Sequence, residues 1–283
     1  MNYSQSGVFT ILWIFLISLT LTAGAEALAA GAEADDSEFP GRKLYPNVKT
    51  ISKEALYEKI KKDAVIVVDV RSAYEYNTLK IVNALNISAS SKTFGKELQA
   101  LRDASPKEIV FYCNGITCYK SYKAGIKALQ YNVKNCLSYD GGIFEWTKQY
   151  PDYAVLLEQT PVKKESIISK EDFKSHLIAP AEFNEHAANS DNFIVDVRDR
   201  EQRRGGGGLF MFRDKHVDLD NTKKLDKIIA KAIDEDQTVL FYDQKGKQVR
   251  WLQYYLEKQG LKNYYFMRGG AGAYYDKLRK EQS

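Results

Sequence analysis

The chain has 283 residues, 44% of them hydrophobic and 28% charged, with a formal net charge of +4. That length allows one large domain or two ordinary ones, and 19 Tyr, 13 Phe and 3 Trp exclude general disorder. A single long apolar stretch excludes a polytopic membrane protein. Three cysteines cannot make a disulfide framework, and His176, His186 and His216 show no metal-ligand spacing with them, which argues against a zinc enzyme.

In chain order, residues 1–25 contain no charged side chain, and Val8 to Thr22 is an apolar run of 15 residues. The run is short for a membrane span and suits a signal-peptide core. Ala23-Gly24-Ala25 supplies an A-x-A cleavage pattern. The expectation is a cleaved export signal at 1–25 and a periplasmic or secreted protein; the alternative is an uncleaved N-terminal anchor that tethers it to the membrane. Residues 26–47 read as a flexible acidic stalk, with five acids and no base between 26 and 41. Residues 42–150 carry 18 Lys+Arg against 10 Asp+Glu, whereas 151–283 carry 23 against 22. The basic excess of the first region suits a small anionic substrate or is simply a solvated surface. No arginine-rich run interleaved with aromatics marks a nucleic-acid partner.

Two segments repeat at a nearly constant offset. VIVVDVRSAYEY (65–76) matches FIVDVRDREQR (193–203), aligning Asp69 with Asp196 and Arg71 with Arg198. IVFYC (109–113) matches VLFYD (239–243), which sets Cys113 opposite Asp243, and the Gly-Gly pairs at 141–142 and 269–270 coincide. Val65–Val70 and Ile109–Tyr112 are continuous apolar strands, as a sheet buried on both faces requires. Thr93–Arg102 and Lys120–Tyr131 have helical spacing, the second ending at Asn132 where the other repeat has Gly260, both residues that tolerate a left-handed helix terminus. Alternating strands and helices predict an α/β fold, each repeat a parallel sheet with helices on both faces. The domains expected are 48–150 and 162–283, joined by a linker at 151–161.

The segment FYCNGITCYKS (111–121) carries the chemistry. It places Cys113 at the carboxyl end of a buried strand, facing the start of a helix. Free amides and the helix dipole there favour a thiolate, so a depressed Cys113 pKa is expected. Lys120, Lys123 and Lys127 share one helical stripe, either to attract an anion or as plain surface. Cys118 is either a resolving thiol or a spectator at the loop exit; Cys136 reads as core. Asp69 and Asp196 read as hydrogen-bonding scaffolds, and Gly205–Gly208 as a flexible loop.

The set DVR (69–71), NALNIS (83–88), FYCNGITCYKS and NVKNCLSYDGGIFEW (132–146) resembles the rhodanese sulfurtransferase domain. The resemblance implies a Cys113 nucleophile that forms a persulfide. It also implies a substrate-binding loop of Asn114, Gly115, Ile116, Thr117 and Cys118 with Lys120 beside it, and a closing element of Gly141, Gly142 and Trp146. It departs from the family at Lys80, Asn83 and Ser88, where His, Gly and Pro are usual. Tyr119 stands where phosphatases of the same fold need an arginine, which disfavours oxyanion hydrolysis. The implied reaction moves sulfane sulfur from thiosulfate or a related small anionic donor to a thiol, cyanide or acceptor protein, with no metal or organic cofactor. The alternative is a non-enzymatic protein in which Cys113 and Cys118 cycle as a disulfide and the second repeat docks a partner. Asp243 in place of cysteine implies an inactive second domain, its carboxylate capping its own helix. Its loop is two residues shorter, which predicts that a thiol placed there could not gather the same ring of amides around its sulfur.

Overall fold

Apolar β-branched runs dictate the centre of each repeat. In the computed structural model, which describes residues 39–199, 202–203, 207–219 and 221–281, they form the inner strands of two parallel sheets. The expected leader, the stalk up to residue 38, and Gly205 and Gly206 lie outside the described residues. The first repeat runs α1 (Pro40–Leu44), α2 (Lys53–Lys61), β1 (Val65–Asp69), α3 (Ala73–Thr78), β2 (Leu79–Ile81), β3 (Leu85–Asn86), α4 (Phe94–Ala104), β4 (Glu108–Tyr112), α5 (Lys120–Gln130), β5 (Cys136–Tyr139), α6 (Gly142–Gln149) and β6 (Ala154–Leu156). The second runs α7 (Lys170–Ser175), β7 (Leu177–Ile178), α8 (Pro180–Ala188), β8 (Phe193–Asp196), β9 (Asp214–His216), α9 (Thr222–Asp234), β10 (Val239–Tyr242), α10 (Val249–Lys258), β11 (Tyr264–Met267) and α11 (Gly270–Glu281).

The sheet orders are β3-β1-β4-β5 and β7-β11-β10-β8-β9. They correspond strand for strand, because a parallel bridge from Thr50 to Ser138 stands where β7 pairs with β11. Helices cover both faces, as the alternation of elements requires. In the first repeat Leu56 of α2 with Ile143 and Trp146 of α6 cover one face, and Phe94 and Leu98 of α4 with Ala124 and Ala128 of α5 cover the other. The helices that precede β5 and β11 each end in a left-handed residue, Asn132 at φ 55° and Gly260 at φ 82°. Asn83, which stands where the family has glycine, is also left-handed at φ 59°.

Two connecting segments differ from expectation. Within the predicted linker, β6 pairs antiparallel with β2 and buries Ala154 and Leu156, so this stretch belongs to the first repeat. The last part of the predicted flexible stalk is folded as α1 and its flanks. Tyr45 stacks on Tyr122 at 5.4 Å, Gly41 is buried beside that ring, and Arg42 Nε donates to Asp140 Oδ2 at 2.9 Å. Aromatic and guanidinium groups supply these contacts, and the sequence of residues 26–38 contains no residue of either kind.

Helix α10 packs on two sides. Leu252 and Leu256 fill the core of their own repeat, while Trp251 and Tyr254 join the core of the first.

Candidate active site

Strand β4 ends at Tyr112, whose hydroxyl accepts from the Ile81 amide at 3.2 Å, and the next residue is Cys113, fully buried among Val68, Val70 and Ala124. The Cys113 carbonyl accepts from the Ile143 amide at 2.9 Å, which ties the loop to the start of α6. Gly142 makes that approach possible. Its φ is +71°, and a Cβ there would lie 2.3 Å from the Gly115 nitrogen. Any side chain would push the loop off its seat.

Charged groups lock the first half of the loop from beneath. Asp69 and Arg71, both fully buried, form a bidentate pair, Nη2 donating to Oδ2 at 2.6 Å and Nε to Oδ1 at 2.9 Å. Arg71 Nη1 donates onward to Asn114 Oδ1 at 3.1 Å, and Asn114 Nδ2 donates to Glu75 Oε1 at 2.8 Å. Glu75 also closes a capping box with Ser72 and accepts from Lys120 Nζ at 3.2 Å. Burial alone would raise the Glu75 pKa, but the charges of Lys120 and Arg71, with hydrogen bonds from Asn114 and the Ser72 amide, outweigh it and hold the carboxyl at about 2. Asn114 and Lys120, expected as substrate contacts, are thus engaged in holding the loop. Lys127 reaches the Ala89 carbonyl at 2.6 Å, so the lysine stripe is not a single anion-facing surface.

The two cysteines meet across the ends of the loop. Cys113 Sγ donates to the Cys118 carbonyl at 2.8 Å and lies 3.6 Å from Ser121 Oγ. Burial pushes the Cys113 thiol well above its ordinary value, with the Cys118 contact adding to it and Ser121 opposing. Cys118 moves the other way, to about 6. The hydrogen bond from Cys113 is the main cause; it acts against burial and with the amides of Lys120 and Asn114 and the Lys120 charge. The depressed pKa expected at Cys113 therefore falls on its neighbour, because these amides are aimed at the half-buried sulfur of Cys118. Gly115 closes the turn by accepting from the Cys118 amide at 2.8 Å, Ile116 is half-buried and Thr117 is exposed. Cys136, on β5, is half-buried against the same core, and Trp146 is buried with its indole N–H on the Tyr153 carbonyl at 2.9 Å.

The second repeat reproduces the frame. Asp196 and Arg198 pair as Asp69 and Arg71 do, and the Ala271 amide donates to the Asp243 carbonyl at 2.8 Å as Ile143 does to Cys113. Gly270, at φ +62°, again leaves no room for a Cβ beneath the loop. The Asp243 carboxylate accepts from the amides of Lys245 (2.8 Å), Gly246, Gln248 (2.6 Å) and Val249 (3.3 Å). The expected self-capping occurs. The carboxylate reaches both the turn at Gly246 and the start of α10 across the shorter loop. Gln248 and Val249 sit where Lys120 and Ser121 sit in the first repeat, so one pair of helix-start amides serves sulfur in one copy and carboxylate in the other.

Sequence reasoning missed three participants. Glu75 was marked by the Ser72-x-x-Glu75 capping-box spacing, and Trp251 by a helix apolar around most of its circumference. Ser121 carried no local signal.

Among curated proteins, a tRNA uridine(34) hydroxylase of Pectobacterium carotovorum is 37% identical over 89 residues, which cover 30% of this chain and 24% of that protein. The match thus spans about a quarter of that relative's length. Among solved structures, a rhodanese-related protein of Thermoplasma volcanium is 27% identical, with 36% of this chain and 92% of that one covered and a TM-score of 0.28. A human single-domain sulfurtransferase is 25% identical, with 36% and 97% covered and a TM-score of 0.31. The family model for the rhodanese-like domain matches twice, at residues 52–149 and 179–277. The chain belongs to the rhodanese family and carries two domains of it.

Proposed function

We propose that the first domain is a sulfurtransferase and that the protein works after export. The Cys113 thiolate attacks the outer sulfur of thiosulfate or a related small anionic donor. The donor's S–S bond breaks, sulfite leaves with the electron pair, and Cys113 carries the sulfur as a persulfide. A thiol, cyanide or the thiol of an acceptor protein then removes it. Cys113 rests as a protonated thiol, because burial pushes its pKa up, and must lose its proton before it attacks. The observation that carries this reading is the placement of Cys113 at the end of β4, its carbonyl pinned by Ile143 and its sulfur against the start of α5. Export rests on the apolar run Val8–Thr22, and membrane tethering would follow only if that segment were retained.

The test is thiocyanate formation by the reduced protein supplied with thiosulfate and cyanide together, with mass spectrometry of samples quenched early in the reaction to locate the sulfur on Cys113. Cys113→Ser, nearly isosteric but unable to carry a persulfide, is expected to lower transfer by about 1000-fold or more. Transfer near the wild-type rate in that variant would refute the mechanism.

A further inference from the structure

The helix-start amides that could have stabilised one sulfur are divided between two. Ser121, through its amide and hydroxyl, faces Cys113, whereas the amides of Lys120 and Asn114 face Cys118. The Cys113 sulfur donates to the Cys118 carbonyl at 2.8 Å, which brings the two ends of one six-residue loop together. Cys113 is fully buried and Cys118 half-buried, so the second thiol of the same loop is the acceptor at hand for whatever sulfur Cys113 carries.

We propose that Cys118 is a resolving thiol, which expels the sulfane sulfur from the Cys113 persulfide as hydrosulfide and closes a Cys113–Cys118 disulfide that an external dithiol reopens. This rests on the reading of Cys113 as the persulfide-forming nucleophile. The terminal persulfide sulfur takes up the proton that Cys113 lost in the first transfer, and the Cys118 thiolate attacks Cys113 Sγ. The new bond joins the two cysteine sulfurs, the bond from Sγ to the terminal sulfur breaks, and HS⁻ leaves with the electron pair. The two cysteines are oxidised and the sulfane sulfur is reduced to sulfide. Over the turn, thiosulfate and two thiols become sulfite, sulfide and one disulfide. A dithiol reductant is the partner class that restores the thiols, and it adds a sulfide-releasing activity to the sulfur-carrying one.

The experiment treats the full, reduced chain with thiosulfate in the absence of any acceptor, then measures sulfide and the intact and peptide masses. The wild type is expected to release close to one sulfide per chain, to lose the mass of two hydrogens and to show a Cys113–Cys118 cross-linked peptide; dithiothreitol restores it. Cys118→Ser is expected to keep one extra sulfur on Cys113 and to release at least about 10-fold less sulfide. Cys136→Ser should behave as the wild type. A wild-type protein that holds its added sulfur as stably as Cys118→Ser, or sulfide release lost in Cys136→Ser, overturns the resolving role while leaving Cys113 as a sulfur carrier. Failure of both the wild type and Cys118→Ser to gain sulfur or release sulfide overturns the sulfurtransferase reading, and the resolving step with it.

Discussion

A negative charge inside the Cys113–Cys118 loop settles where the donors are, not where the strand ends. Cys118 loses its proton near pH 6 while burial holds Cys113 protonated, so the loop is singly anionic at neutral pH. Limiting iodoacetamide on the reduced protein should therefore label Cys118 first, with a midpoint near pH 6, and leave Cys113 largely unlabelled at neutral pH. Labelling of Cys113 first, with a midpoint below that of Cys118, would refute this assignment. Glu75 makes a second residue-level prediction. Its folded pKa of about 2 lies below the ordinary 4.5, so its charge contributes stability that is complete above about pH 4.5 and fades as the pH falls toward 2. Glu75→Gln should cost about 2 kcal/mol at pH 7, after allowance for the half-exposed Lys120, and the two proteins should converge in unfolding midpoint near pH 2. A constant difference from pH 7 to pH 2 would show that shape, not charge, is what Glu75 supplies. The position of Cys113 was legible, since a buried apolar run followed by Cys and Gly admits few other placements. The division of the amides was not, because it depends on a side chain five residues away turning back toward the strand.

The equivalent loops at the ends of β4 and β10 show how far a motif can exchange its leading residue and keep its form. Both are seated on a left-handed glycine, both hang from an amide at the start of the next helix, and both direct the opening amides of α5 or α10 inward. Asp243 fills its ring with its own carboxylate, so the second loop needs no ligand to satisfy its backbone. Asp243→Ala would leave these amides, some of them buried, without their acceptor and should destabilise the protein by about 2–3 kcal/mol. Asp243→Asn, which keeps one acceptor oxygen, should lose about half as much, and denaturant midpoints measure both. Equal losses in the two variants would mean that side-chain packing, not amide capture, holds the loop. The repeat offset made the paired strands, the helices α4 and α5 and the Gly-Gly seats legible. Loop length alone did not reveal that the Asp243 carboxylate bridges the turn at Gly246 and the start of α10. The antiparallel β2–β6 pair was hidden for a different reason: Ala154-Val155-Leu156 is too short for periodicity to separate from a linker.

The two domains share a core, and the shared part lies directly behind the Cys113–Cys118 loop. Trp251 of α10 is buried, stacks on Phe144 at 5.3 Å and covers the Arg71 guanidinium at 5.0 Å. Arg71 in turn holds Asn114 next to Cys113. The second domain thereby forms a wall behind the Cys113 loop, through a contact running from Trp251 to Arg71 to Asn114. A desolvated guanidinium on an indole face is worth about 2 kcal/mol beyond the buried area, and truncating a buried tryptophan costs about 3–5 kcal/mol. Trp251→Ala should therefore do two things that a surface substitution would not. Calorimetry should resolve its unfolding into two transitions where the wild type shows one, because the link between the two cores is cut. At temperatures where it remains fully folded, Cys113 should take sulfur from thiosulfate about 10-fold more slowly, because Arg71 and with it Asn114 lose their backing. Trp251→Phe, which keeps an aromatic face over Arg71, should recover most of the rate. A single unchanged transition together with wild-type loading in Trp251→Ala would show that the domains are merely adjacent, and that the second contributes nothing to the loop of the first.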